Sequence, residues 1–340
     1  MLNIISIPFT ASTMMIRLCP GQSQNQCADT SEKSFFLSII LMLSLFWGSA
    51  SWAGYKQPAP ETPAKAYVAI IIDDLGYKLK QDQRAINLPG QVTFAFLPHT
   101  PHLKTLAETA NAKGSDIMLH LPMQATMETL YLGPGALLNG MTEDEFKQSV
   151  IKSIRSIPHI KGVNNHMGSL ITSQQDSMKW LMDEIAQTDL YFVDSRTTAK
   201  TLAEQTANQY QIKNTRRNVF LDHELNRPAI EFQFNRLINL AKKNGSAVAI
   251  GHPFKETLEV LEEKIPQLKA AGIRLISVSE LINQQNLMRT IAQQKAQKNK
   301  WQNTPSLTRA LSQTVPQKKL NKRQQSWQTS LSPSPKAVKN

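Results

Sequence analysis

The chain has 340 residues, 41% of them hydrophobic, and a formal net charge of +12. Its only two cysteines, Cys19 and Cys27, fall near the amino terminus, so neither a disulfide framework nor a thiol nucleophile is available to the rest of the chain. The charge is segregated: positions 283–340 hold eleven Lys or Arg and no Asp or Glu, which leaves +1 for everything before them. This argues against specific nucleic-acid recognition by the folded part.

Residues 1–53 read as a leader and signal peptide. Lys33 precedes an apolar stretch, Phe35 to Trp47, followed by small residues in GSASWA, with cleavage after Ala50 or Ala53. The apolar stretch is short for a membrane span, and an uncleaved anchor is the alternative. The chain is therefore expected to be exported to the periplasm or another extracytoplasmic space. Residues 54–65 contain YKQPAPETPAK, a proline-rich linker. Residues 283–340, rich in Gln, Ser, Asn and Pro as well as cations, read as a disordered basic tail. Such a tail would make at most a weak electrostatic contact with anionic envelope components.

Between them, residues 66–282 alternate strand-like and helix-like segments. Val68 to Ile72 is a run of five apolar residues, four of them β-branched, as in a strand buried on both faces. Val92–Leu97 and the residues up to His120 predict the next two strands, and Leu103, Leu106, Ala107 and Ala110 the helix between them. Thr142 followed by Glu145 is a capping box that opens a helix running to about Ile157. Gly162–Gly168, the run ending at Asp194, Arg216–Leu221 and AVAIGHP predict further strands. Helices are expected over 178–187, 199–210, the stripe from Ile230 to Ala241, and 256–263. Seven or eight alternations argue for one α/β barrel with a parallel sheet. No GxGxxG follows the first strand and no P-loop is present, which removes the usual evidence for a nucleotide fold.

Ionisable residues fall at the carboxyl ends of these strands. Asp73 and Asp74 end the first; His99 and His102 follow the second; His120, His166, Asp194, Asp222 with His223, and His252 follow later ones. In parallel α/β folds that end collects ligands and catalytic groups. One Asp and two His with open positions would suit zinc or a similar divalent ion. A nearby carboxylate could then serve as base and a facing His as acid. In a regular strand Asp73 and Asp74 point to opposite faces, so both enter one site only if the strand end turns.

IIIDDLGY, LHLPMQ, NNHMGS, FVDSRTT and IGHP together resemble the divergent polysaccharide deacetylase family, over about residues 65–282. The resemblance implies a distorted (β/α) barrel and metal-assisted removal of acetyl groups from an acetylated glycan or cell-wall polymer. By position it implies Asp73 as general base, His252 as acid, and Asp74, His120 and His166 as metal ligands. Ordinary deacetylases take two His from one HxxxH segment. Here Gln124 stands in the second position, and His166 from the next strand is expected to substitute. Asn165, Asp194 and Arg196 are expected to bind substrate or to orient the ligands. Asn164 could bind a substrate carbonyl or satisfy backbone groups, and Tyr77 is the candidate for stacking on a sugar ring. Two rivals remain: a barrel retained only to bind cell-wall glycan or an envelope partner, and a glycoside hydrolase using Asp194 or Asp222.

Overall fold

A computed structural model describes residue 64 and residues 66–127 and 132–303. The expected leader, most of the linker and the tail beyond Asn303 lie outside the described residues. Strand β1 (Ala66–Leu75) is followed by α1 (Leu79–Ile86), β2 (Thr93–Phe96), α2 (Leu103–Ala112), β3 (Ile117–Met123) and α3 (Glu143–Ser156). Then come β4 (Ile160–Met167), α4 (Gln175–Ala186), β5 (Tyr191–Asp194), α5 (Ala203–Gln209), β6 (Asn214–Arg216) and β7 (Val219–Phe220). The remainder is α6 (Arg227–Asn244), β8 (Ser246–Gly251), α7 (Lys255–Lys264), β9 (Ile273–Leu275) and α8 (Val278–Asn303).

Local chemistry explains several boundaries. The expected capping box opens α3: Thr142 accepts from the Glu145 amide while the Glu145 carboxylate accepts from the Thr142 amide. In α6, Asn226 caps the first turn through Ala229 N, and Gly245 ends the helix in the left-handed region at φ 84°.

The strands form one sheet in the order β6-β5-β4-β3-β2-β1-β8-β7, every pairing parallel, with β9 added to the start of β1. Laid flat, seven spacings of about 4.8 Å would put β6 and β7 roughly 34 Å apart. They are joined by Arg217 and Asn218 alone, a link that reaches about 11 Å from Arg216 to Val219. The sheet must therefore curl until its edges meet, which makes a distorted (β/α) barrel. At the seam the link is held first to one edge and then to the other: Arg217 N donates to Asp194 O of β5 and Asn218 N to Val248 O of β8, each at 2.9 Å. The single strand expected over 216–221 is thus two, on opposite edges of the sheet.

Alternate side chains of the strands separate into two cores. Ile70, Ile72, Phe94, Phe96, Leu119 and their like pack outward under the helices. Ala69, Ile71, Ala95, Met118, Val193, Val248 and Ile250 fill the interior with Tyr191. A Cβ on Gly162 would come within 2.2 Å of the Tyr191 ring, so only glycine leaves that ring its place. Ile276, Val278, Leu281 and Ile282 belong to the same interior cluster, so the start of α8 closes one end of the barrel.

Helix α8 continues to Asn303, where the sequence reading placed a disordered tail from residue 283. Its stretch contains no Pro or Gly and is mostly Gln, Lys, Ala, Leu and Met, all good helix formers, and its first turn is anchored in the core. Among the described residues no helix is long and apolar enough to cross a membrane.

Candidate metal centre

Following the interior parity upward from the apolar base, the next side chains are polar. After Ala69 and Ile71 comes Asp73; after Met118 comes His120; after Ile250 comes His252. Asn164 lies opposite His120 in the β3–β4 register. Asp74 has the wrong parity, and the backbone corrects it. Its φ is 62°, the β1–β2 register shifts between Ile72 and Leu75, and Gly76 follows at φ 124°. A left-handed non-glycine residue costs roughly 1–3 kcal/mol, a strain usually kept only at functional sites. Buried Asp82 in α1 holds the turn, its Oδ2 accepting from Gly76 N at 2.8 Å and Lys78 N at 3.1 Å.

The bulge brings three ligand-type atoms together. Asp74 Oδ1 is 2.9 Å from His166 Nδ1 and 3.2 Å from His120 Nε2, and those two nitrogens are 3.1 Å apart. Asp74 Oδ1 is buried, yet it makes no hydrogen bond. Donors on one tetrahedral ion at about 2.0–2.1 Å would be about 3.3 Å apart, close to this triangle. A carboxylate and two imidazoles also match the donor preference of zinc and similar divalent ions. The three residues therefore fit a metal. Burial would raise the Asp74 pKa, but the facing His120 and His166 together outweigh it and hold the carboxyl well below the usual range.

Behind this face, His120 Nδ1 meets Asn164 Oδ1 at 2.8 Å and Asp73 Oδ2 at 3.6 Å. Asp73 is 2% exposed, and burial pushes its carboxyl up against the opposing pull of His120, His252 and Asn164.

On the open side stands His252, just past β8. Its Nε2 is 3.7 Å from Asp74 Oδ2. Asp222 accepts twice from this residue, from the backbone N at 2.6 Å and at Nδ1 at 3.0 Å, and also from Thr257 Oγ1 at 2.9 Å. Burial would lower the imidazole pKa; Asp222, with help from Asp74 and Asp73, raises it to about 9. The ring therefore holds its proton more firmly than a free imidazole, with Nε2 toward the Asp74 face. Phe220 and Phe254 flank it, with ring centroids at 5.4 and 5.6 Å.

The other expected residues fall as follows. Asn165 braces two strand ends, accepting from Ser195 N at 2.9 Å and donating to Met167 O at 2.7 Å, so both ends of its amide are spent on backbone. Asp194 is fully buried and accepts from Arg196 N and Thr201 Oγ1, ordering the loop after β5. Arg196 is left-handed at φ 49°, and its carbonyl accepts from Arg217 Nη2. Tyr77 is 44% exposed, its hydroxyl beside Gly133. His99, His159 and His223 are exposed and, with His102, stand outside the Asp74 group. Gln124 braces a loop: its Oε1 accepts from Asn139 N, and its backbone pairs with Leu137.

A parallel (β/α) barrel thus carries an Asp-His-His group, with a further His beside it, at the strand ends where such barrels place their functional residues. The chain matches the divergent polysaccharide deacetylase family over residues 70–282 and belongs to it. It is 36% identical over 217 residues to the uncharacterized protein YibQ of Escherichia coli (strain K12), covering 64% of this chain and 67% of that protein. It is 33% identical over 218 residues to an uncharacterized protein of Haemophilus influenzae, covering 64% and 77%. Among solved structures it resembles uncharacterized protein ATU2773 from Agrobacterium tumefaciens C58, with a TM-score of 0.63, 25% identity, and coverage of 66% of this chain and 92% of that one.

Proposed function

We propose that this chain removes acetyl groups from an acetylated envelope polysaccharide or glycan, using a divalent ion, zinc by preference, held by Asp74, His120 and His166. The observation that carries the reading is the triangle of donor atoms at 2.9, 3.1 and 3.2 Å with the His252 imidazole facing it, its Nε2 3.7 Å from Asp74 Oδ2. A divalent ion there would supply a more acidic water and a polarised carbonyl. Asp73 takes the proton of the attacking water as its oxygen bonds to the acetyl carbon. His252 Nε2 gives its proton to the glycan nitrogen or oxygen as the bond to that carbon breaks. Acetate and a free amine or hydroxyl result. Asp222 keeps the imidazole charged and aimed.

The rival that specific geometry favours is a barrel that binds glycan without turnover. Asp73 is 2% exposed and both its oxygens are already held by Asn164, at 3.0 and 3.1 Å. Acetate release from N- and O-acetylated oligosaccharides by the zinc-loaded chain separates the two. Hydrolysis is expected, falling about 10²–10⁴-fold in His252→Ala. Glycan retention with no acetate release would leave only the binding reading.

Export is part of the same proposal and rests on the apolar stretch Phe35–Trp47 and the small residues after it. An exported chain beginning at Ser51 or Gly54 would uphold it, and one retained in the cytoplasm at full length would not. The basic residues beyond Asn303 are read as a weak tether to anionic envelope components, in which case retention on anionic vesicles falls with added salt.

A further inference from the structure

Asn164 lies at the centre of the site, fully buried, with no part in the chemistry just described. Its amide has two different ends, and each is engaged. Oδ1 is 2.8 Å from His120 Nδ1. Nδ2 donates to Asp73 Oδ1 at 3.0 Å and Oδ2 at 3.1 Å, with Ser195 Oγ at 3.4 Å. The base role given to Asp73 requires an ionised carboxylate, which only accepts hydrogen bonds and so can face only the NH₂ end. Reversing the amide would set Oδ1 against two carboxylate oxygens. The other end must then be the carbonyl, which only accepts, so His120 Nδ1 must carry the proton. A neutral imidazole protonated at Nδ1 has its lone pair on Nε2, the atom that stands 3.2 Å from Asp74 Oδ1.

We propose that Asn164 is a positioning residue: its amide, oriented by Asp73, fixes the His120 tautomer that presents Nε2 as a metal ligand. This deepens the reading above and rests on it. The arrangement gives the buried Asp73 carboxylate a use that is independent of proton transfer. It also explains why β4 has a primary amide directly across from His120, where the interior below is apolar. Ligand imidazoles are commonly oriented by an acceptor on the second nitrogen, and losing that acceptor costs about 10–100-fold in metal affinity.

The test is cobalt(II) affinity of the full chain, read from its visible spectrum in competition with a chelator, for wild type and Asn164→Leu. Imidazole ¹⁵N spectra of the metal-free wild type, at a pH high enough that His120 is neutral, are recorded beside it. Expected are a loss of about 10–100-fold in the variant and a His120 resonance pattern showing the proton on Nδ1. Affinity within twofold of wild type in a folded variant would overturn the proposal, as would a His120 protonated on Nε2. Should Asn164→Leu not fold, the wild-type tautomer decides alone. A wild type that binds no cobalt would remove the metal reading itself, whereas equal binding by wild type and variant would remove only the role given to Asn164.

Discussion

In a regular strand Asp74 would point outward among the apolar side chains beneath the helices, where an ionised carboxylate has no partner. The left-handed bulge turns it inward, and Gly76 and Asp82 hold the bulge. A Cβ at Gly76 would meet Thr100 Oγ1 at 2.0 Å, and φ there is 124°. Gly76→Ala is therefore expected to destabilise the chain by roughly 1–3 kcal/mol from backbone strain alone and to weaken divalent-ion binding in parallel. Urea midpoints and a metal titration check this; wild-type values for both would show that the turn does not position Asp74. The paired aspartates were legible in sequence because they interrupt an apolar run, and so were His120, His166 and His252 as strand-end residues. The pairing of Asp222 with His252 was not. Asp222 was visible at a strand end, but the two are 30 positions apart and meet only because β7 lies beside β8.

At the scale of elements, α8 is capped by its own Ser277, whose Oγ accepts from Glu280 N at 3.3 Å, and the barrel caps it further. Buried Asp116, just before β3, accepts from Ser279 N at 2.9 Å and pairs with Lys161 Nζ at 2.9 Å, while Thr93 Oγ1 accepts from Val278 N at 3.2 Å. A carboxylate at a helix amino terminus is favourable. Burial would raise the Asp116 pKa, but Ser279 and Lys161 together outweigh it and the group titrates below its ordinary value. A depressed folded pKa adds stability that is complete above the unfolded pKa of about 3.9 and is lost as pH falls through the folded one. Asp116→Asn is thus expected to lower the urea midpoint most near neutral pH, with the gap to wild type closing below about pH 4. A gap that stays constant from pH 7 to pH 3 would contradict it. The sequence reading ended the fold at residue 282 and placed no helix over Val278–Asn303. Low apolar content looks the same in a solvated helix and in a disordered tail, and here intrinsic helix propensity decided.

For the whole molecule, the parallel α/β class and the order of elements followed from the alternation of buried runs and helical stripes. Closure did not. The residues from Arg216 to Leu221 read as one strand because nothing local marks Arg217 and Asn218 as the place where two sheet edges meet. Closure is what sets His252, from β8, opposite ligands from β3 and β4, and so it makes the site. The central claim is that this site holds a metal. The most direct test is elemental analysis of the purified chain after loading with zinc and dialysis, beside Asp74→Ala and His166→Ala. The account expects close to one divalent ion per chain in the wild type and little or none in either folded variant. Wild type free of metal after loading, or variants that retain it fully, would contradict the account.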